Sequence, residues 1–262
     1  MQRPAEMTWS NPKCVGTAPS KRSGHSMSIV GDQAYLFGGN DFRKPPGPNN
    51  ELYKLDMSSN SEFYWSRVEP APGGKWPEPR SHHTAIVYTD TSNSTPSTKI
   101  IVFGGFRSSS IRYNDVWIFD TESSTWEQPR PGMTETKADG SVSFKSPWHD
   151  APLPRGAHSA TLVNGSQMYI FGGYGGSGFS RRDFNDVHAL DLGVWEWRVL
   201  EGQGEIPPAR SGHQGCAVLD NIYVIGGWNS IEQFNDMYIF NTITNEWTKP
   251  EDNQLGAAFG QP

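Results

Sequence analysis

The 262-residue sequence predicts an all-β chain of four-stranded antiparallel sheets stacked around an axis. Three observations predict it. Only 35% of residues are hydrophobic while Gly numbers 28 and Pro 20, a balance that favours many short elements joined by turns over long helices. The second is self-similarity: an apolar run ending in Gly-Gly recurs as AYLFGG (34–39), IIVFGG (100–105), MYIFGG (168–173) and IYVIGG (222–227). The third is that each run has the same neighbours, an Arg-x-x-His step before it and an Asn-led strand and a Trp after it.

The steps are Arg22/His25, Arg80/His83, Arg155/His158 and Arg210/His213, each opening an apolar stretch taken as strand a. The Gly-Gly runs are strand b. Strand c follows as NELYKLD (50–56), NDVWIFD (114–120), NDVHALD (185–191) and NDMYIFN (235–241), and strand d carries Trp65, Trp126, Trp197 and Trp247. All are rich in β-branched and aromatic residues and bounded by turn formers, as strands are. A lone sheet with two apolar faces cannot bury both, so the sheets must stack on one another.

Gly-Gly after strand b, an aromatic in strand c and a spaced Trp in strand d resemble the kelch repeat. The resemblance runs from about Trp9 to Trp247 and implies a kelch-type β-propeller occupying residues 1–262, with blades at about 23–68, 81–128, 156–200 and 211–249. MTWSNPKC (7–14) repeats the end of a unit and is read as an orphan outer strand. Kelch rings usually have five to seven blades, and termini commonly share one. The orphan strand therefore implies a larger ring completed by further sequence or another chain, or else a four-bladed ring with an extra edge strand.

A net charge of −6 and a pI near 5.6 argue against a general nucleic-acid binder, whose affinity comes from clustered Lys and Arg. The absence of an 18-residue apolar run argues against a membrane helix. With no signal-like N-terminus and only Cys14 and Cys216, the expectation is a cytoplasmic protein without a structural metal.

The loops between strands b and c carry Arg43, Lys44, Arg107, Arg112, Arg181 and Arg182 against Asp41, Asp183 and Glu232, a net +3 in an acidic chain. Tyr174 and Trp228 lie among them. Arg beside exposed aromatics is the makeup of a binding hot spot, and a guanidinium grips a carboxylate or phosphate through two hydrogen bonds. The expected role is a non-enzymatic scaffold that binds an acidic or phosphorylated partner segment on the face of the b–c loops and d–a connections. The residues expected to bind are Arg43, Lys44, Arg107, Arg112, Tyr174, Arg181, Arg182 and Trp228. The longest insertion, 127–154, joins that face.

One His per blade spreads around the axis, so the four histidines are expected to bond neighbouring backbone rather than a metal. Asn114/Asp115, Asn185/Asp186 and Asn235/Asp236 are read as side chains capping their own turns. His82, His149 and His188 are read as surface or strand residues. The alternative function is a kelch-type enzyme with a site in the channel, or a regulatory domain of a larger enzyme. The iron-binding Glu-x3-Asp-x3-Cys pattern of the plant specifier proteins is absent, since Pro208 and Gly212 stand before Cys216, and no cofactor is expected.

Overall fold

A computed structural model describes residues 11–43, 45–59, 61–91, 94–129, 149–176 and 180–250, and the backbone of 135–136 and 142–143. No α-helix forms among them. In chain order the first repeat contains β1 (Lys13–Gly16), β2 (Arg22–Ser23), β3 (Ser26–Val30), β4 (Gln33–Phe37), β5 (Asn40–Asp41), β6 (Gly47–Pro48), β7 (Leu52–Asp56) and β8 (Glu62–Val68). The second contains β9 (Thr84–Asp90), β10 (Ser97–Phe106), β11 (Arg112–Asp120) and β12 (Thr125–Glu127), followed by the ribbon of β13 (Glu135–Thr136) and β14 (Val142–Ser143). The third runs through β15 (Arg155–Gly156), β16 (Ser159–Val163), β17 (Gln167–Phe171), β18 (Tyr174–Gly175), β19 (Arg182–Asp183), β20 (Val187–Asp191) and β21 (Glu196–Leu200). The fourth has β22 (Gln203–Gly204), β23 (Gln214–Val218), β24 (Asn221–Trp228), β25 (Gln233–Asn241) and β26 (Glu246–Thr248).

Each repeat folds into one antiparallel sheet, with orders β3-β4-β7-β8, β9-β10-β11-β12, β16-β17-β20-β21 and β23-β24-β25-β26. Strands a lie side by side, β3 next to β9, β9 next to β16 and β16 next to β23, so the sheets radiate as blades. Apolar side chains alternate between the two faces of each blade, and every blade-to-blade junction is a separate core. Tyr35, Phe37 and Leu52 meet Ile100, Val102, Trp117, Phe119 and Trp126 between blades one and two. Phe103, Val116 and Ile118 meet Met168, Ile170, Leu190 and Trp197 between blades two and three. Tyr169, Phe171 and Val187 meet Ile222, Val224, Phe240 and Trp247 between blades three and four.

The described part of the orphan segment joins blade one. β1 pairs in parallel with β8, Cys14 opposite Phe63 and Gly16 opposite Trp65, as an extra edge strand. Met7–Ser10, including Trp9, lie outside the described residues. The same edge recurs in blade four, where β22 pairs in parallel with β26 and Gly204 lies opposite Trp247. Gly16 and Gly204 hold equivalent left-handed conformations, φ +84° and +77°. β22 is the lead from blade three into blade four, so β1 is the corresponding lead into blade one.

The histidines lock junctions. Nε2 of His83 lies 2.8 Å from Ser26 Oγ, that of His158 2.8 Å from Thr84 Oγ1, and that of His213 3.0 Å from Ser159 Oγ. Each bond therefore reaches a hydroxyl side chain of the preceding blade, where the sequence suggested a backbone partner. The same rings stand edge-on to Phe37, Phe103 and Phe171, on which Trp126, Trp197 and Trp247 also pack at 4.9–5.2 Å. A row of backbone bonds completes the contact: His82 N–H to Gly24 O (2.7 Å), Ala157 N–H to His82 O (2.8 Å) and Gly212 N–H to Ala157 O (2.8 Å).

The Asn-Asp pairs are not turn caps. Asp115, Asp186 and Asp236 each accept two bonds from the buried guanidinium of Arg80, Arg155 and Arg210 in their own blade. Asn50, Asn114 and Asn185 reach the other way, donating to the carbonyls of Pro77, Pro152 and Pro207 in the lead to the next blade. A buried charge is tolerated only when paired and hydrogen-bonded, and this pairing explains why Arg and the acid recur together.

Candidate protein-interaction site

The b–c loops start from a rigid base. In blade two, Arg80 donates to Asp115 at 2.8 and 2.9 Å and to Gly104 O at 3.0 Å, while its guanidinium stacks 4.5 Å from the Tyr113 ring. Loop 106–112 then rises from a fixed stem. Its turn is closed by Arg107 N–H to Ile111 O at 3.0 Å and by Ser108 Oγ, which accepts from the amides of Ser110 and Ile111.

At the end of this loop Arg112 lies between two aromatic rings, 5.6 Å from the centroid of Phe106 and 5.4 Å from that of Tyr174 in blade three. Its Nε and Nη1 are buried and have no hydrogen-bond partner among the described residues. No carboxylate lies within ion-pair distance of it among those residues. A cation held this way is compensated by the two ring faces but by no hydrogen bond at Nε or Nη1, so it keeps donor capacity that an anion would use.

The guanidinium lines a pocket of about 490 Å³ shared by three blades: Asn40 and Pro48 from the first, Ser81, His82, Phe106, Arg107, Ser108 and Ser109 from the second, and Tyr174 and Arg181 from the third. Burial pushes the His82 imidazole below its ordinary value, so it is neutral near pH 7. Arg181 is exposed at the rim, and Arg182, also exposed, packs 5.3 Å from the Phe184 ring.

The remaining basic residues behave differently. Arg43 is neutralised within its own blade, by Asp41 and by Glu51 at 2.9 Å, and Ser20 and Arg43 hold the Asp41 carboxyl down to about 2. Arg107 pairs with Glu78 at 3.3 Å. Lys44 lies outside the described residues. Trp228 is half-exposed on blade four, bridged to Ser211, and does not line the pocket. The structure thus gathers Arg107, Arg112, Tyr174 and Arg181 and leaves Arg43 and Trp228 apart. Of the 127–154 insertion, residues 130–134, 137–141 and 144–148 lie outside the described set.

His82 was not legible as a pocket residue from composition, yet a signal existed. It occupies the third position of the Arg-x-x-His step, where the other repeats have Gly24, Ala157 and Gly212, and all four have positive φ, 55° to 66°. A large ring at a glycine-like position is a departure from the repeat.

A family profile described as the KLHDC2/KLHL20/DRC7 Kelch-repeats domain matches residues 2–144 and 134–257. Human host cell factor 1 is 32% identical over 253 residues, covering 87% of this chain and 11% of that protein. The flagellar outer-arm dynein alpha chain of Chlamydomonas reinhardtii is 31% identical over 254 residues, 91% of this chain and 5% of that one. Acyl-CoA-binding domain-containing protein 4 of Arabidopsis thaliana is 27% identical over 243 residues, 92% and 32% respectively. The chain spans less than a third of the length of each of these relatives. With the family profile covering nearly all of its sequence and four repeats folded as radiating blades, the chain belongs to the kelch-repeat family.

Proposed function

We propose that the protein is a non-enzymatic interaction module that captures an acidic or phosphorylated segment of a partner protein on its b–c loop face. The observation that carries this is Arg112, stacked between Phe106 and Tyr174 with two donor nitrogens unpaired beside a 490 Å³ pocket. Arg181 extends the positive rim, Arg107 stands beside it paired with Glu78, and the serines at 108 and 109 add neutral hydrogen-bonding groups. Because the buried Arg80–Asp115 pair fixes the loop stem in advance, a ligand need not order it, which lowers the cost of binding. The relatives support a scaffold role, since a host cell factor, a dynein chain and an acyl-CoA-binding domain protein share the module while their names point to different tasks.

The test is an array of short peptides graded in Glu, phosphoserine and Lys content, probed with the wild-type chain and with Arg112→Gln. Retention should rise with negative charge and fall at least tenfold in the variant, about the 1.4 kcal/mol or more expected of a lost charge-assisted bond, at an unchanged melting temperature. Retention independent of peptide charge, or equal for both proteins, defeats the reading.

A further inference from the structure

The three inner junctions each join two different half-sites, and among the described residues blade four and blade one each leave a corresponding half uncovered. The trailing half, on the face a blade turns to its successor, presents an aromatic before Gly-Gly, a hydroxyl after the His, an Asn side chain and the carbonyl of the third Arg-x-x-His residue. The leading half presents the Trp, the His, a proline carbonyl three residues before the Arg and the matching N–H.

Blade four displays a trailing half on which, among the described residues, no other blade packs. Val218 and Ile225 are 55% and 45% exposed on the face that also bears Tyr223, Met237 and Ile239; the equivalent Val163, Tyr169, Phe171, Val187 and Ala189 of blade three are buried against blade four. An added Cβ at Gly38, Gly104 or Gly172 would strike the Arg carbonyl of the next blade, at 2.7–2.8 Å; at Gly226, which holds the same φ of +65°, it meets only Phe234 of its own blade.

Blade one displays the leading half. Met27 and Ile29 are 51% and 62% exposed, and Trp65 is only partly buried where Trp126, Trp197 and Trp247 are covered. Pro19 stands three residues before Arg22, as Pro77, Pro152 and Pro207 stand before their arginines. Among the described residues the row of backbone bonds begins at Gly24 and ends at Gly212.

We infer that these two faces bind each other between copies, so that blade one of one molecule stacks on blade four of a second, head to tail. The contact continues the established junction: Trp65 against Ile225, Asn235 to the Pro19 carbonyl, and the Gly24 N–H to the Gly212 carbonyl. Three positions depart from the repeat. Met27 stands where blades two to four have Ala85, Ala160 and Gly215, which widens the spacing; Gln214 stands where blades one to three have Ser26, Thr84 and Ser159, which supplies a longer reach to His25; and Ile225 stands where they have Phe37, Phe103 and Phe171, so the Trp65 contact is with an aliphatic side chain instead of a ring. Because the two surfaces differ, the contact is heterologous and builds either a closed ring or an open run.

The experiment is mass photometry and light scattering over a concentration series with the wild-type chain, Ile29→Glu and Ile225→Glu. Both substitutions fall on exposed side chains, and a melting temperature equal to that of the wild type at low concentration, where copies are apart, verifies each fold. The wild type should associate, giving one discrete mass for a ring or a graded series for a run. Each variant alone should be monomeric, and the 1:1 mixture should form a heterodimer, because one intact leading face then meets one intact trailing face. A monomeric wild type at 100-fold dilution steps up to about millimolar protein, variants that still associate, or a mixture that stays monomeric each overturn the inference. Since no variant touches the Arg112 pocket, peptide binding is read separately.

Discussion

Arg155 Nη2 lies 2.8 Å from Asp186 Oδ2, its other nitrogens hold the carbonyls of Leu153 and Gly172 at 3.0 Å, and Phe184 packs 4.1 Å from the guanidinium carbon. One fully buried side chain therefore ties the lead into blade three to the end of strand b and the start of strand c. Burial alone would raise the Asp186 carboxyl, but bonds from Arg155 and His188 outweigh it and hold it far below the usual carboxylate range. The same arrangement in blades two and four fixes where each b–c loop begins.

Removing one partner of such a pair leaves a charge buried without compensation. Asp115→Ala is expected to cost about 3–5 kcal/mol, since Arg80 is wholly enclosed. A double variant with Arg80→Met should recover part of that loss, because an apolar side chain of similar length needs no partner. Urea titration of the two variants decides it, and equal stabilities would mean that the pair carries no burial penalty.

The closing tryptophans should be unequal. Trp126 packs on Phe37 and Phe119 at 4.9 and 5.0 Å and is buried, whereas Trp65 meets no preceding blade among the described residues and is partly exposed. Trp126→Ala should cost about 3–5 kcal/mol through cavity formation, and Trp65→Ala less than half as much. Thermal melts of the two variants at low protein concentration, where copies are apart, provide the comparison.

The sequence made the blades legible because their signals are local: strand alternation, Gly-Gly and a Trp at fixed spacing all lie within one unit. Pairings across the chain were not legible. Asp115 and Asp186 sit 35 and 31 residues from their arginines, so beside Asn they looked like turn residues. Charge counting likewise could not separate Arg43 from Arg112. The neutralising Glu51 belongs to the start of strand c and Glu78 to a d–a connection, both outside the b–c loops. What sets Arg112 apart is two rings from different blades, a relation only the stacked fold creates.

Three junction histidines make stability sensitive to mild acid. Burial, reinforced by the neighbouring arginines, lowers His83 to about 3 and His213 to about 4, and holds His158 well below its ordinary value. The unfolded chain titrates these groups near 6.5 and so binds more protons than the fold below that pH; stability is full above about 6.5 and falls as pH drops toward 4. The buried carboxylates do not contribute between pH 6.5 and 5, where folded and unfolded forms are both ionised. Melting temperatures across that window should give an uptake of about three protons or more on unfolding, since His82 and His25, also lowered by burial, add a share, and about one fewer in His158→Gln. A flat profile would mean that the imidazoles are charged in the fold.

Backbone conformation predicts opposite effects for two alanine–glycine exchanges. Gly104 has φ +67°, and a Cβ there would sit 2.8 Å from the Arg155 carbonyl across a blade junction, so strain and collision act together. Gly104→Ala should cost more than about 2 kcal/mol. Ala157 already holds φ +55° as part of the axial row of backbone bonds, a conformation that costs an L-residue roughly 1–2 kcal/mol. Ala157→Gly relieves that strain but gives the unfolded chain more freedom, so the net gain should be at most about 1 kcal/mol. Urea midpoints at constant slope separate the two cases. A loss of stability in Ala157→Gly would mean that the methyl group contributes packing that outweighs its strain.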